Sequence, residues 1–165
     1  MRAYSLGLLS LLSVCGACRA TEPLPDVHGL FPIDVPAAVQ LSASVSPDST
    51  GTRAVWLTFT NTGSVADTIR LLRDGACTFA AQLRSLDGAG GHVVWDSRPI
   101  PELPCELVGY DLAISGHGSR TVLAVRLAAV SVYVPAPPAG SFRANALLNV
   151  RGRAAVVPAG HVELP

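Results

Sequence analysis

The most reactive side chains in this 165-residue sequence are four cysteines, at positions 15, 18, 77 and 105. They fall into two groups with different chemistry. Cys77 and Cys105 are 105 − 77 = 28 positions apart in the body of the chain. Redox motifs of the C-x-x-C kind keep their thiols close in sequence, so this pair is expected to form a structural disulfide in an oxidising compartment. Closing a loop of that size removes about 3.5 kcal/mol of unfolded-state freedom in the chain-entropy model.

Cys15 and Cys18 lie in an address. Met1-Arg2, an apolar run from Leu6 to Val14 and then Cys15-Gly16-Ala17-Cys18 make a charged start, a short hydrophobic stretch and small residues before a break. That is the pattern of a secretory signal. It is too short for a spanning helix, which needs about 20 apolar residues. Gly16-Ala17-Cys18 resembles the bacterial lipobox, in which the cysteine is acylated and becomes the new N-terminus. Cys15 stands where that motif usually has Leu. Cys18 is therefore the expected lipidation site, the alternative being an ordinary signal cut after Ala17 or Ala20. Arg19 follows, so the aspartate that often retains lipoproteins at the inner membrane is absent and an outer-membrane address is favoured.

Other chemistry is harder to assemble. Ser115, His117 and Asp111 are near one another in sequence, but they surround a Gly-rich turn and no Gly-x-Ser-x-Gly elbow is present. His28, His92, His117 and His161 are scattered, without zinc spacing. A cupredoxin-type copper site often adds an axial Met, and the sole Met is Met1. Asp96, Glu102, Glu106 and Asp111 flank a proline-rich loop and read as solvated acids. Trp56 and Trp95 are expected to pack, with a binding platform as the alternative. No catalytic residue, metal ligand or cofactor is assigned.

The elements that must carry these residues read as strands. Apolar residues make up 49% and charged residues 15%, which excludes intrinsic disorder. Gly 15 and Pro 13 suit short strands joined by turns. Lys+Arg 12 balances Asp+Glu 12, and every basic residue is Arg, with no basic run to hold nucleic acid. Residues 1–17 are read as the lipoprotein-type signal, 18–37 as a proline-rich tether and 38–165 as one domain. Val39-Leu41-Ala43-Val45 alternate with polar residues, as do Val55-Leu57-Phe59, the period of half-buried strands. Further strands are expected over 68–73, 77–84, 92–96, 107–114, 120–128, 142–150 and 156–164. Along the fourth, Cys77, Phe79, Ala81 and Leu83 are placed on the core face, with Thr78, Gln82 and Arg84 outward. Leu123–Val130 is alanine-rich and has a helical turn as its alternative. These 7–9 strands imply an all-β, immunoglobulin-like antiparallel β-sandwich.

The series Asn61-Thr62-Gly63, Val94-Trp95-Asp96-Ser97, Leu112-Ala113-Ile114-Ser115-Gly116-His117-Gly118-Ser119 and Ala139-Gly140-Ser141-Phe142-Arg143-Ala144-Asn145-Ala146 resembles the immunoglobulin-like domain of the intracellular proteinase inhibitor (BsuPI-type) family. The likeness covers roughly Val39 to Leu164. Phe142 replaces that family's usual Tyr, the tryptophan expected after Gly118-Ser119 is missing, and the Cys77/Cys105 pair is foreign to the pattern. The resemblance implies the sandwich fold; no inhibitory loop can be mapped from it. The functional expectation is a non-enzymatic, lipid-tethered interaction or structural module of the bacterial cell envelope, with an unknown protein partner. Proteinase inhibition is the alternative, and an envelope enzyme the third class. The loops Ser97–Glu106 and Pro135–Ser141 are the expected partner surfaces, through Arg98, Ile100, Glu102, Pro137 and Pro138.

Overall fold

A computed structural model describes residues 27–73, 75–88, 91–98, 105, 108–128 and 134–165. Among the described residues ten strands are formed: β1 (Pro32–Ile33), β2 (Val39–Pro47), β3 (Arg53–Asn61), β4 (Asp67–Leu72), β5 (Phe79–Arg84), β6 (Val93–Asp96), β7 (Gly109–Ile114), β8 (Ser119–Arg126), β9 (Gly140–Val150) and β10 (Arg153–Leu164). The only helical element among the described residues is a 3₁₀ turn, Gly75–Cys77, between β4 and β5.

The strands form two main antiparallel sheets. One has the order β10-β9-β5-β6, and the other β2-β3-β8. With β2, β3 and β8 as A, B and E, and β5, β9 and β10 as C, F and G, this is the strand order of an immunoglobulin-like sandwich. β4 and β7 form a separate two-stranded ribbon. The core lies between the sheets. β3 supplies Val55, Leu57 and Phe59, β5 supplies Phe79, Ala81 and Leu83, and β9 supplies Phe142, Ala144, Ala146 and Leu148. The period of two read from β3 is thus its burial pattern. Its outward threonines pair with β8, Thr58 with Thr121 at 2.8 Å and Thr60 with Ser119 at 3.0 Å.

Two expectations change, and one alternative falls away. The segment 18–37 is not tether throughout: Leu30 and Ile33 are 5% and 1% exposed, and Pro32–Ile33 pair in parallel with Asn149–Val150 of β9. The domain therefore reaches back to at least Val27. The fourth strand begins at Phe79, since Cys77 belongs to the 3₁₀ turn. Its outward face is not solvated, because Thr78 and Gln82 are also buried. Finally, Ser119–Arg126 is strand, so the helical alternative fails over that part of 123–130.

Backbone conformation marks two turns. Arg151 and Gly152, both at positive φ, make the two-residue β9–β10 hairpin, the conformation a tight right-twisted hairpin requires. Gly116 lies so close to the 61–66 loop that a Cβ there would sit 2.1 Å from the Ser64 carbonyl oxygen.

Candidate functional site

The two loops singled out in the sequence leave the same edge of the sandwich. Trp95 of β6 points into the core and is 6% exposed, and its Nε1–H donates to the Pro135 carbonyl at 2.9 Å. The indole thereby pins the chain between β8 and β9 to the edge strand. Val134 anchors one end of this segment in the core and Phe142 the other. Between them Pro138 is exposed and Pro137 half-buried. Three prolines in four positions fix their own φ and remove three backbone donors, so the segment is stiff.

The chain leaving β6 is held as firmly. Ser97 N–H donates to the Ala81 carbonyl at 3.0 Å, and Ser97 Oγ accepts from Ala81 N–H at 2.8 Å. Asp96 accepts from Arg98 Nη2 at 2.7 Å and Nε at 3.0 Å, from Arg98 N–H at 3.0 Å and from Gln82 Nε2 at 2.8 Å. Burial alone would raise the Asp96 carboxyl; the hydrogen bonds from Arg98 and Gln82 outweigh it and hold the group below the ordinary carboxylate range. Gln82 Oε1 is buried without a partner beside this pair. Further along, Cys105 is bridged to Cys77, with Cα atoms 5.8 Å apart, which ties the loop after β6 to the turn before β5. Of the partner-loop residues named above, Arg98, Pro137 and Pro138 border this corner. Ile100 and Glu102 lie outside the described residues, as do Cys15, Cys18, Glu106 and the whole segment 1–17 expected to be a signal.

Among the described residues weighed for catalysis, no hydrogen bond joins Ser115, His117 and Asp111. Asp111 is paired with Arg70 across the β4–β7 ribbon at 2.9 Å. His117 sits at φ 55 in the turn before β8, its N–H bonded to the Gly63 carbonyl, while Ser115 closes that turn by accepting from Gly118 N–H. No group of three His, Cys, Asp or Glu residues gathers to hold a metal ion among the described residues. Of the two tryptophans, Trp95 packs in the core, and Trp56 is half-buried with its Nε1–H 3.3 Å from the Ser46 carbonyl.

Three constellations went unread in the sequence. Asp48 accepts from Thr50 N–H, Thr50 Oγ1–H, Thr52 N–H and Arg126 Nε, and the bonds from Thr50 and Arg126 hold its carboxyl far below the usual range. Asp-x-Thr after a strand is the local signal for such a turn. Asn61 is fully buried: Oδ1 accepts from Gly63 N–H, and Nδ2 donates to the Val65 and Ile114 carbonyls. Ser85 Oγ lies 3.0 Å from His92 Nδ1 and also accepts from His92 N–H. That pair clasps the β5–β6 hairpin, where a Cβ on Gly91 would fall 2.1 Å from the Ser85 carbonyl oxygen.

No protein-family model matches the chain, and no curated protein matches it.

Proposed function

We propose that this protein is a lipid-anchored, disulfide-stabilised interaction module of a bacterial cell envelope, presenting the corner around Trp95 to a protein partner. The observation that carries the reading is the indole bond from Trp95 to Pro135, which joins two chain segments into one stiff surface, while the Cys77–Cys105 bridge ties the loop after β6 to the turn before β5. Stiff loops on a sandwich suit binding because little freedom is lost on association. The bridge also suits an oxidising compartment, in keeping with the signal at the start of the sequence. Cys18 is the anchor in this reading.

The same bridged, proline-stiffened corner keeps proteinase inhibition as the second reading, since an inhibitor also presents a loop of fixed conformation. A photo-crosslinking residue at position 98 or 138, in cells expressing the whole chain with its own signal, tests the first reading. One defined adduct from both positions, absent from position 42 on exposed β2, is the expected result. Adducts indifferent to position, or none, would remove the corner as the partner surface. Stoichiometric inhibition of a secreted protease, lost on replacing Pro137 and Pro138, would move the second reading ahead.

A further inference from the structure

The charges of this domain avoid one of its faces. The pairs Arg70–Asp111, Arg98–Asp96 and Arg151–Asp34 lie on the β4–β7 ribbon, at the end of β6 and at the β9–β10 hairpin. The outward side of the β10-β9-β5-β6 sheet carries Arg84 directly opposite Arg143, and Leu30 covers Ala80 and Leu147 there. The outward side of the β2-β3-β8 sheet is different. Its one charged position is Arg126, at a corner, where Asp48 neutralises it at 2.6 Å.

The sequence builds this face by simple alternation. Val55, Leu57 and Phe59 turn into the core, so Trp56, Thr58 and Thr60 turn out. Register then sets Ser42, Thr58 and Thr121 in one row across the three strands, and Ser44, Trp56 and Leu123 in the next. Strands are about 4.8 Å apart and successive rows about 6.8 Å. With the neighbouring row at Thr60, the array covers on the order of 10 by 14 Å.

The array combines free hydroxyls with one aromatic ring. Gln40, Ser42 and Ser44 are exposed, and their side chains make no hydrogen bond among the described residues. The paired hydroxyls of Thr58 with Thr121 and Thr60 with Ser119 still hold unused lone pairs. Trp56 is half-buried, and its Nε1–H reaches the Ser46 carbonyl, two positions beyond its own cross-strand neighbour Ser44. The indole therefore lies along the sheet, its N–H engaged, with one ring face turned to solvent.

Charge and composition select the occupant. Nucleic acid needs a row of cations, and a membrane surface needs a broad apolar face flanked by Lys or Arg; neither is here. The core of a protein interface is rich in aromatics, Met and Arg and poor in Ser, whereas this face is mostly Ser and Thr. A neutral sugar chain matches it on every count. The C–H face of a pyranose ring is apolar and lies on an indole, which is the apolar body of an amphipathic side chain. Sugar hydroxyls donate and accept as serine and threonine hydroxyls do. We infer that the outward face of β2-β3-β8 is a binding site for an uncharged saccharide chain, with Trp56 as the stacking platform and Ser42, Ser44, Thr58 and Thr121 as its hydrogen-bonding rim. It lies on the other sheet from the Trp95 corner, so either site can fail without the other.

The test uses the whole chain, made with its own signal and kept in a sugar-free detergent. It is titrated with cellohexaose, maltohexaose and chitohexaose, and with oligogalacturonate of the same length as the charged control, by tryptophan emission and by calorimetry. At least one neutral hexasaccharide is expected to shift the emission saturably, and oligogalacturonate is not. Calorimetric affinity for that sugar is expected to fall at least ~10-fold in Trp56→Ala and at least ~3-fold in Thr58→Val with Thr121→Val. The Tm of each variant, measured alongside, is expected to stay within a few degrees of the parent, since these side chains lie outside the core. No binding of any neutral hexasaccharide at about 10 mM overturns the site, as does equal binding of the charged oligomer or affinity unmoved by Trp56→Ala. A dimer in sedimentation velocity that Trp56→Ala dissociates would also overturn it, by giving the face to a second copy of the chain.

Discussion

Replacing Asn61 with Ala removes a buried polar staple rather than a surface residue. Asn61 is fully buried, and its amide makes bonds of 2.8 Å to Gly63 N–H, 2.7 Å to the Val65 carbonyl and 3.4 Å to the Ile114 carbonyl. Each hydrogen bond contributes about 1 kcal/mol net, and a partner left buried and unsatisfied costs about 1–3 kcal/mol. Val65 is 76% exposed, so its carbonyl has water as an alternative, and the long bond to Ile114 is worth little. The loss should come to about 2–3 kcal/mol. For a domain of this size that lowers Tm by roughly 7–10 °C. The assay is urea unfolding followed by tryptophan fluorescence, with calorimetry for Tm. The midpoint should fall with the slope unchanged, because the surface exposed on unfolding is the same. A loss below about 0.5 kcal/mol would refute the reasoning, since it would mean the loop between β3 and β4 holds its shape without the amide.

Other perturbations follow from the same geometry. Cys77→Ser with Cys105→Ser should cost about 3.5 kcal/mol, and reductant should lower the Tm of the native chain but not of the variant. Arg151→Asn should raise stability by about 0.5–1 kcal/mol, because Asn tolerates positive φ and the ion pair lost to Asp34 is exposed and weak; a lower urea midpoint would contradict this. The carboxyls of Asp48 and Asp96 are both depressed in the folded state. Their stabilisation is therefore complete above the unfolded value of 3.8 and is lost as pH falls through and below it. Asp48→Asn should flatten the acid limb of a Tm–pH profile below about pH 5, and an unaltered limb would count against the assignment. Gly116→Ala should be more damaging than Gly118→Ala by urea unfolding, because its Cβ meets the Ser64 carbonyl at 2.1 Å whereas that of Gly118 meets the Ser115 carbonyl at 3.0 Å.

Strands with one core face were the most legible part of the sequence. Val55, Leu57 and Phe59 alternate with threonines because one side of β3 is buried and the other carries cross-strand hydroxyl pairs. β5 was misread on its outward face, where Leu30 covers Ala80 and the Gln82 amide nitrogen donates to Asp96. Burial on both faces leaves no alternation to find. β1 was hidden for a different reason: two residues beginning with Pro carry no period, and the strand is held by pairing to β9, more than a hundred positions away, and by the bond from Phe31 to Cys77 of the 3₁₀ turn, 77 − 31 = 46 positions away. The disulfide was legible because only two cysteines, Cys77 and Cys105, lie outside the N-terminal stretch read as a signal. The corner at Trp95 was half legible, since proline content flagged both loops, while the indole bond that joins them depends on a tertiary contact across 40 positions. Asn61-Thr62-Gly63, met first as part of a family likeness, turns out to hold the β3–β4 loop by its own buried amide.

The central claim, an exported module held by a lipid at Cys18 and braced by one internal bridge, is met most directly by the intact mass of the mature chain made with its own signal in a bacterial host. The account predicts a chain beginning at Cys18, heavier by its acyl groups and lighter by the two hydrogens of the Cys77–Cys105 bond. An unacylated chain, or one with both thiols free, would contradict it.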